Sequence, residues 1–172
     1  MNRAVAIAAL TTIAILLIMA GEAVLSAFNE KLLRARGAIE PPGDVIGAMK
    51  WVYPGAFVAM GIEGSLSGPA SMDALLFGLS LLGFSKALKI WAISSLGSKW
   101  SYRVLVVPGE PLVASGPYRF LSHPNYLAVV GELVSVAMIV WAPVAGALST
   151  IAFGSLMLAR IRVEDRALGR LK

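Results

Sequence analysis

The chain has 172 residues, 58% of them hydrophobic and 15% charged, with a mean hydropathy of +0.77. Soluble domains run nearer ~45–50% apolar and ~25% charged, so the composition argues against a soluble globular enzyme and, being apolar, against disorder. A transmembrane helix takes roughly 20 apolar residues, and this chain holds enough for about five. There is no cysteine and a single histidine, which excludes disulfides, thiolate metal sites, cysteine nucleophiles and multi-histidine metal sites. The formal charge of +5 points, in so apolar a chain, to lipid headgroups rather than nucleic acid.

The first apolar run is Ala4 to Phe28, interrupted only by Glu22. It is longer than the ~7–15 apolar residues of a secretory signal, although Ser26-Ala27 is a passable small-residue cleavage context. Residues 29–44 are a polar break containing Pro41-Pro42-Gly43. The second run, Val45 to Ile62, carries Lys50 near one end and Pro54-Gly55 within it, which membrane helices tolerate when neighbours satisfy the freed backbone groups. A short turn over Glu63–Ser71 leads to the third run, Met72 to Ile93, with Lys86 and Lys89 late in it. Residues 94–122 form the longest polar stretch. The fourth and fifth runs, Tyr126–Trp141 and Val144–Leu158, are joined by a tight turn at Pro143 and Gly146, and a charged tail runs from Arg160 to Lys172.

The fold expected is all-α: an integral membrane bundle of five transmembrane helices, forming one domain over residues 1–172. Five spans place alternate loops on opposite sides. Of the 15 Lys and Arg residues, only Arg3 falls on the side of the N-terminus. The others lie on or toward the side of residues 29–44, 94–122 and the tail. Positive loops stay in the cytoplasm, so the expected topology is N-terminus out and C-terminus in. The tail from Leu158 to Leu171 reads as a helix continuing out of the fifth span.

Only the cytoplasmic side has loops long enough to hold a site. There, two apolar segments flank the turn at Pro108-Gly109, and Ser115-Gly116-Pro117 is a second turn. Pro124 suits the first turn of the fourth helix, where its missing N–H is harmless, so Ser122 or His123 sits near the N-cap. An isolated histidine at a helix start is more often a structural hydrogen-bonder than a ligand. Arg160 and Glu164 lie one turn apart and can face each other; the plain interpretation is a juxtamembrane basic cluster with an intrahelical ion pair contributing at most ~0.5 kcal/mol. Tyr118, taken alone, is an interfacial anchor, as are Trp51, Trp91 and Trp100. Two carboxylates lie at membrane depth, Glu22 and Glu132. Such groups cost ~2.5–3.5 kcal/mol on insertion scales and face the bundle interior or water. Glu132 is nine residues beyond His123, about two and a half turns, so it is expected to meet a polar partner on another span.

The run Ser115-Gly-Pro-Tyr-Arg-Phe-Leu-Ser-His-Pro-Asn-Tyr126, followed by two apolar spans and then Arg160-x-x-x-Glu164-Asp165-x-x-Leu168, resembles the isoprenylcysteine carboxyl methyltransferase family, itself similar to membrane phospholipid N-methyltransferases. The likeness covers about residues 90–170. The Lys99-Trp100 to Pro108-Gly109 segment further resembles a short bacterial branch linked to O-methylation of lipophilic polyketides such as alkylpyrones. The resemblance implies S-adenosylmethionine as methyl donor, held in a pocket made by the cytoplasmic connector and the C-terminal helix. By position, Pro111, Leu112 and Val113 would line the cofactor largely through backbone, Tyr118 and His123 would contact it, Glu164 would bind it, and Arg160 would face the acceptor. This sequence departs from the family in having Ser122 where arginine is usual before His-Pro, and Asp165 as the second acid. No Gly-x-Gly-x-x-Gly follows a strand, so a soluble dinucleotide-type domain is not encoded. The expected activity is O-methylation of a lipophilic carboxylate or enol/phenol acceptor at the membrane, with no nucleic acid and no obligate protein partner. The alternatives are a phospholipid N-methyltransferase, a thiol S-methyltransferase, or a non-catalytic scaffold or transporter subunit.

Overall fold

Each apolar run is helical in the computed structural model, which describes residues 2–169. The helices are α1 (Arg3–Ala35), α2 (Ile46–Ser67), α3 (Met72–Leu96), α4 (Pro124–Ile139) and α5 (Pro143–Ala167), with short 3-10 turns at Gly97–Lys99 and Gly116–Arg119. The starts follow local chemistry. The Asn2 side chain accepts from Ala4 N at 3.4 Å, Ser71 Oγ from Ala74 N at 3.2 Å and Asp44 Oδ1 from Ile46 N at 3.1 Å, each satisfying an N–H that the helix leaves unpaired. Pro124 and Pro143 open α4 and α5 at the first turn, where φ is already helical. The α5 start is capped from another helix: both Glu63 oxygens accept from its backbone, Oε1 from Val144 N at 3.1 Å and Oε2 from Ala145 N at 2.5 Å.

Three helical stretches are long and apolar enough to cross a membrane: Arg3–Ala35, Met72–Lys99 and Pro143–Ala167. Pro124–Ile139 is a shorter apolar helix. Phe57, Met60, Leu133 and Val136 are fully enclosed at the centre, whereas Leu10, Leu17, Val24 and Phe84 stand exposed on the outside. An outer surface this apolar suits lipid, where burial against hydrocarbon replaces burial in a core. Packing is most extensive between α3 and α4, then between α1 and α2. Close approach of the helices uses small residues. A Cβ on Gly78 of α3 would lie 3.0 Å from the Ser135 carbonyl oxygen of α4, and one on Gly64 of α2 would lie 2.3 Å from the Val140 carbonyl oxygen.

Five polar side chains from four helices meet inside the bundle. Tyr53 Oη donates to Glu132 Oε2 at 2.5 Å, and Lys89 Nζ lies 2.7 Å from Glu22 Oε2 and 3.4 Å from Glu132 Oε2. Lys86 Nζ reaches Glu132 Oε1 at 3.0 Å. Glu132 is 0% exposed and Lys89 2%. This satisfies the expectation that Glu132 finds a polar partner on another span. Lys86 and Lys89, counted from the sequence on or toward the connector's side, turn inward to these two carboxylates. Two cations and two anions balance formally, which is what makes the burial tolerable.

Two stability predictions follow from this packing. Gly64→Ala gains about 1 kcal/mol of helix propensity but must displace backbone, an overpacking cost of about 1–3 kcal/mol. Its thermal midpoint in detergent should therefore fall, while Gly83→Ala, which meets nothing within 4 Å, should not lower it. Glu132→Gln strands a buried ammonium, a loss of about 3–5 kcal/mol. Adding Lys86→Met restores neutrality, so the double variant should unfold at a higher temperature than Glu132→Gln alone.

Candidate functional site

One end of the bundle gathers the C-terminus of α1, the start of α2, the connector from Gly97 to His123 and the last turns of α5. The connector leaves α3 under the control of two buried polar residues of α1. Asn29 Nδ2 donates to the carbonyls of Trp100 at 2.8 Å and Gly97 at 3.3 Å, and Ser26 Oγ accepts from Tyr102 N at 2.8 Å. Asp44 Oδ2 then accepts from Val104 N at 3.2 Å. The segment before Pro108-Gly109 pairs not with the segment after that turn but with the first loop, through an antiparallel bridge between Ile39 and Val106. Ion pairs rim this bridge: Arg34–Glu40 at 2.6 Å, Arg103–Glu40 at 2.6 Å, Lys99–Glu110 at 2.9 Å and Arg36–Glu110. Arg34, with Arg103 beside it, holds the Glu40 carboxyl below its usual range, and Lys99 and Arg36 do the same to Glu110. Burial, reinforced by Glu22 at 3.3 Å, pushes the Tyr102 hydroxyl well above the usual phenol range.

A cavity of about 180 Å³ opens under this connector, and Pro111, Leu112, Val113, Tyr118, His123, Arg160 and Glu164 all line it. The structure thus brings together every site residue expected from the sequence. Lys99 Nζ donates to the Pro111 carbonyl at 3.0 Å and fixes that strand of the wall. His123 occupies the N-cap of α4 but makes no capping bond with its side chain. Its Nε2 lies 3.0 Å from Asp165 Oδ1 and its Nδ1 3.7 Å from Glu164 Oε2. Glu164 Oε2 accepts from Tyr126 Oη at 2.8 Å.

Arg160 and Glu164 take different partners rather than each other. Arg160 is 5% exposed. Its guanidinium donates to the Tyr102 carbonyl, lies 3.5 Å from Asp44 Oδ1 and touches Met49 Sδ, while Nε has no partner. A second cavity of about 410 Å³ lies on the far side of Arg160, walled by Leu16, Met19 and Ala20 of α1, Met49 and Tyr53 of α2 and Phe153 of α5. The two cavities share Trp100, Ser101, Asn125, Tyr126 and Arg160. Asn125 Oδ1, like Arg160 Nε, is buried without a partner. The sequence carried no signal for Asp44 or the Tyr102 carbonyl, which lie far from Arg160 along the chain. Asn125 and Tyr126 were visible only as neighbours of His123-Pro124.

An α-helical membrane protein with a polar cavity at one end, backed by an apolar one, is the class that this geometry defines. The chain belongs to the isoprenylcysteine carboxyl methyltransferase (ICMT) family, whose family model matches residues 78–170. That stretch runs from α3 through the connector to the end of α5. Membership points to methyltransferase activity in an integral membrane protein. Among relatives, the uncharacterized protein YpbQ of Bacillus subtilis (strain 168) is 42% identical over 81 residues, 47% of this chain and 48% of that protein. The matched part thus spans about half of YpbQ. An uncharacterized protein of Haemophilus influenzae is 23% identical over 144 residues, 83% of this chain and 84% of that one. No solved structure gives a significant match.

Proposed function

We propose that the protein is an S-adenosylmethionine-dependent O-methyltransferase whose cofactor sits in the smaller cavity and whose lipophilic acceptor sits in the larger one. The observation that carries this reading is the shared wall: Arg160, Tyr126 and Asn125 face both cavities at once. Methyl transfer needs donor and acceptor held in line in a space closed to water, and two cavities meeting at one polar wall provide that. Bound there, the cofactor would supply an activated methyl group, so the chain needs no covalent nucleophile of its own.

The residues of the smaller cavity suit such a group chemically, and the cavity of about 180 Å³ would have to widen toward the ~300–1,000 Å³ usual for ligand pockets to admit it. Glu164 Oε1 is left to a cationic or hydroxyl group, and Lys99 and Arg103, each already paired with an acidic residue, also line the cavity. Pro111 to Val113 offer backbone and apolar surface to a planar base, with Tyr118 and His123 completing the contacts. Across the wall, Arg160 Nε suits an anionic acceptor oxygen through a charge-assisted hydrogen bond. Asp44 offsets part of the guanidinium charge but leaves Nε unpaired. A cationic amine acceptor would be repelled there, which favours O-methylation over N-methylation of a lipid headgroup. Leu16, Met19 and Ala23 of α1, Met49 of α2 and Phe153 of α5 give the larger cavity apolar surface that suits a hydrocarbon tail, although Lys50 and Lys89 also line it.

In this reading all five helices cross the membrane as one domain, with α2 and α4 completing the three longer spans, and the connector end faces the cytoplasm. The absence of cysteine makes this directly testable. A thiol reagent that cannot cross membranes should label Ser67→Cys in intact cells and Ala114→Cys only after permeabilisation. For the activity, purified protein in detergent should bind the cofactor and transfer labelled methyl to a lipid extract. Glu164→Ala should abolish measurable cofactor binding by calorimetry. Arg160→Ala should lower turnover by about 100-fold or more, the usual effect of removing a charge-stabilising donor, and by a larger factor than it lowers cofactor affinity. Cofactor affinity and turnover that both survive Arg160→Ala would overturn the acceptor assignment.

A further inference from the structure

Resting on that methyl-transfer reading, we infer that Tyr126, Glu164, His123 and Asp165 form a proton exit from the acceptor cavity to the cytoplasmic end of α5, and hence that the acceptor is a hydroxyl compound, an enol or phenol, rather than a carboxylate. The four groups are arranged in series. Tyr126 lines both cavities and donates to Glu164 Oε2 at 2.8 Å. The same oxygen is 3.7 Å from His123 Nδ1, and His123 Nε2 is 3.0 Å from Asp165 Oδ1. A carboxylate accepts hydrogen bonds only, so Asp165 favours a proton on Nε2, which leaves Nδ1 to take the proton that Glu164 carries in the relay. The 3.7 Å step is longer than a direct hydrogen bond and is closed by one water or a small rotation.

Holding a cofactor does not require a histidine bracketed by two carboxylates with a tyrosine at the head of the series. Methylating a carboxylate does not require it either, since that oxygen is already ionised near neutral pH. A hydroxyl acceptor has a proton to lose. As its oxygen bonds the methyl carbon, the C–S bond of the donor breaks and its electron pair stays on sulfur. The hydroxyl proton passes to Tyr126 Oη as Tyr126 passes its own to Glu164. Glu164 protonates His123 Nδ1, and the Nε2 proton leaves through Asp165 to water. One positive charge is lost from the sulfonium and one proton is released, so the step balances.

The test compares 4-nonylphenol with palmitate as methyl acceptors in detergent, using wild type and Tyr126→Phe of matched thermal midpoint. General-base assistance contributes roughly 100- to 10,000-fold, so the ratio of phenol to palmitate turnover should fall at least about 30-fold in Tyr126→Phe. An unchanged ratio overturns the relay, as does a wild type that methylates palmitate but not the phenol. A second measurement does not depend on turnover. His123 is the only histidine, so 15N-histidine labelling gives one imidazole. At pH 8 it should show an unprotonated Nδ1 and a protonated Nε2, and Asp165→Ala should abolish that bias. A doubly protonated ring, or a tautomer indifferent to Asp165, overturns the proposal. Failure of the cofactor to bind at all is a different result: it removes the methyl-transfer reading itself.

Discussion

The end of the molecule that carries the site depends on where Arg160 sends its guanidinium. From the last third of α5 it reaches across to the Tyr102 carbonyl of the connector, to Asp44 before α2 and to the Met49 sulfur within α2. Those contacts tie three elements that are remote in sequence. They also place a buried cation in the wall between two cavities. Burying a guanidinium is costly unless its donors are satisfied and its charge is offset. The connector carbonyl and Asp44 do part of this, and Nε is buried without a hydrogen-bond partner.

Elsewhere the chain handles buried charge differently. The cluster of Glu22, Lys86, Lys89 and Glu132, with Tyr53, is closed on itself, two charges of each sign with each ammonium against both carboxylates. Removing one member is expensive because the remaining charges have no water to turn to. The cluster therefore specifies which faces of α1, α3 and α4 meet. Within it Lys86 Nζ and Glu132 Oε1 make no hydrogen bond but face each other's charge at 3.0 Å. At the connector Asn125 Oδ1 and Arg160 Nε also lack a hydrogen bond, and both residues border the two cavities.

Much of the fold was legible in one dimension. Five apolar runs gave five helices, and Pro124 and Pro143 marked two starts because a first-turn proline costs nothing. The first run stops at Phe28, yet α1 continues to Ala35, because Asn29 and Leu33 turn inward and the helix no longer needs to be apolar all round. Seven residues of the smaller cavity's lining, Pro111, Leu112, Val113, Tyr118, His123, Arg160 and Glu164, were expected from the resemblance that Ser115–Tyr126 and Arg160–Asp165 carry, not from spacing alone. What escaped were pairings set by three dimensions. Lys86 and Lys89 read as loop-side cations because nothing in spacing joins them to Glu22 or Glu132. Arg160 and Glu164 read as an intrahelical pair because they are four apart, but two long side chains on one face can diverge, and stronger partners lay to either side. The segment before Pro108-Gly109 read as half of a local turn, whereas Val106 spends its hydrogen bonds on Ile39, a residue 67 positions earlier.

The two kinds of charge also differ in what they permit. Ion pairs around the Ile39–Val106 bridge are partly exposed, with the Arg36 and Arg34 side chains 41% and 49% accessible. Pairs of that kind contribute little and are weakened by salt. The bundle cluster is shut away and breaks only at greater cost. Local opening follows the cheapest contacts, so the connector over the smaller cavity can part from the first loop while the helices stay in register. A polar molecule entering from the aqueous side then meets the weak part of the structure, and a hydrocarbon entering from the lipid side meets the rigid, apolar part. In the proposed methyl transfer the donor and a lipophilic acceptor would have those same opposed solubilities, and Arg160 and Tyr126, which border both cavities, would stand where the two routes meet.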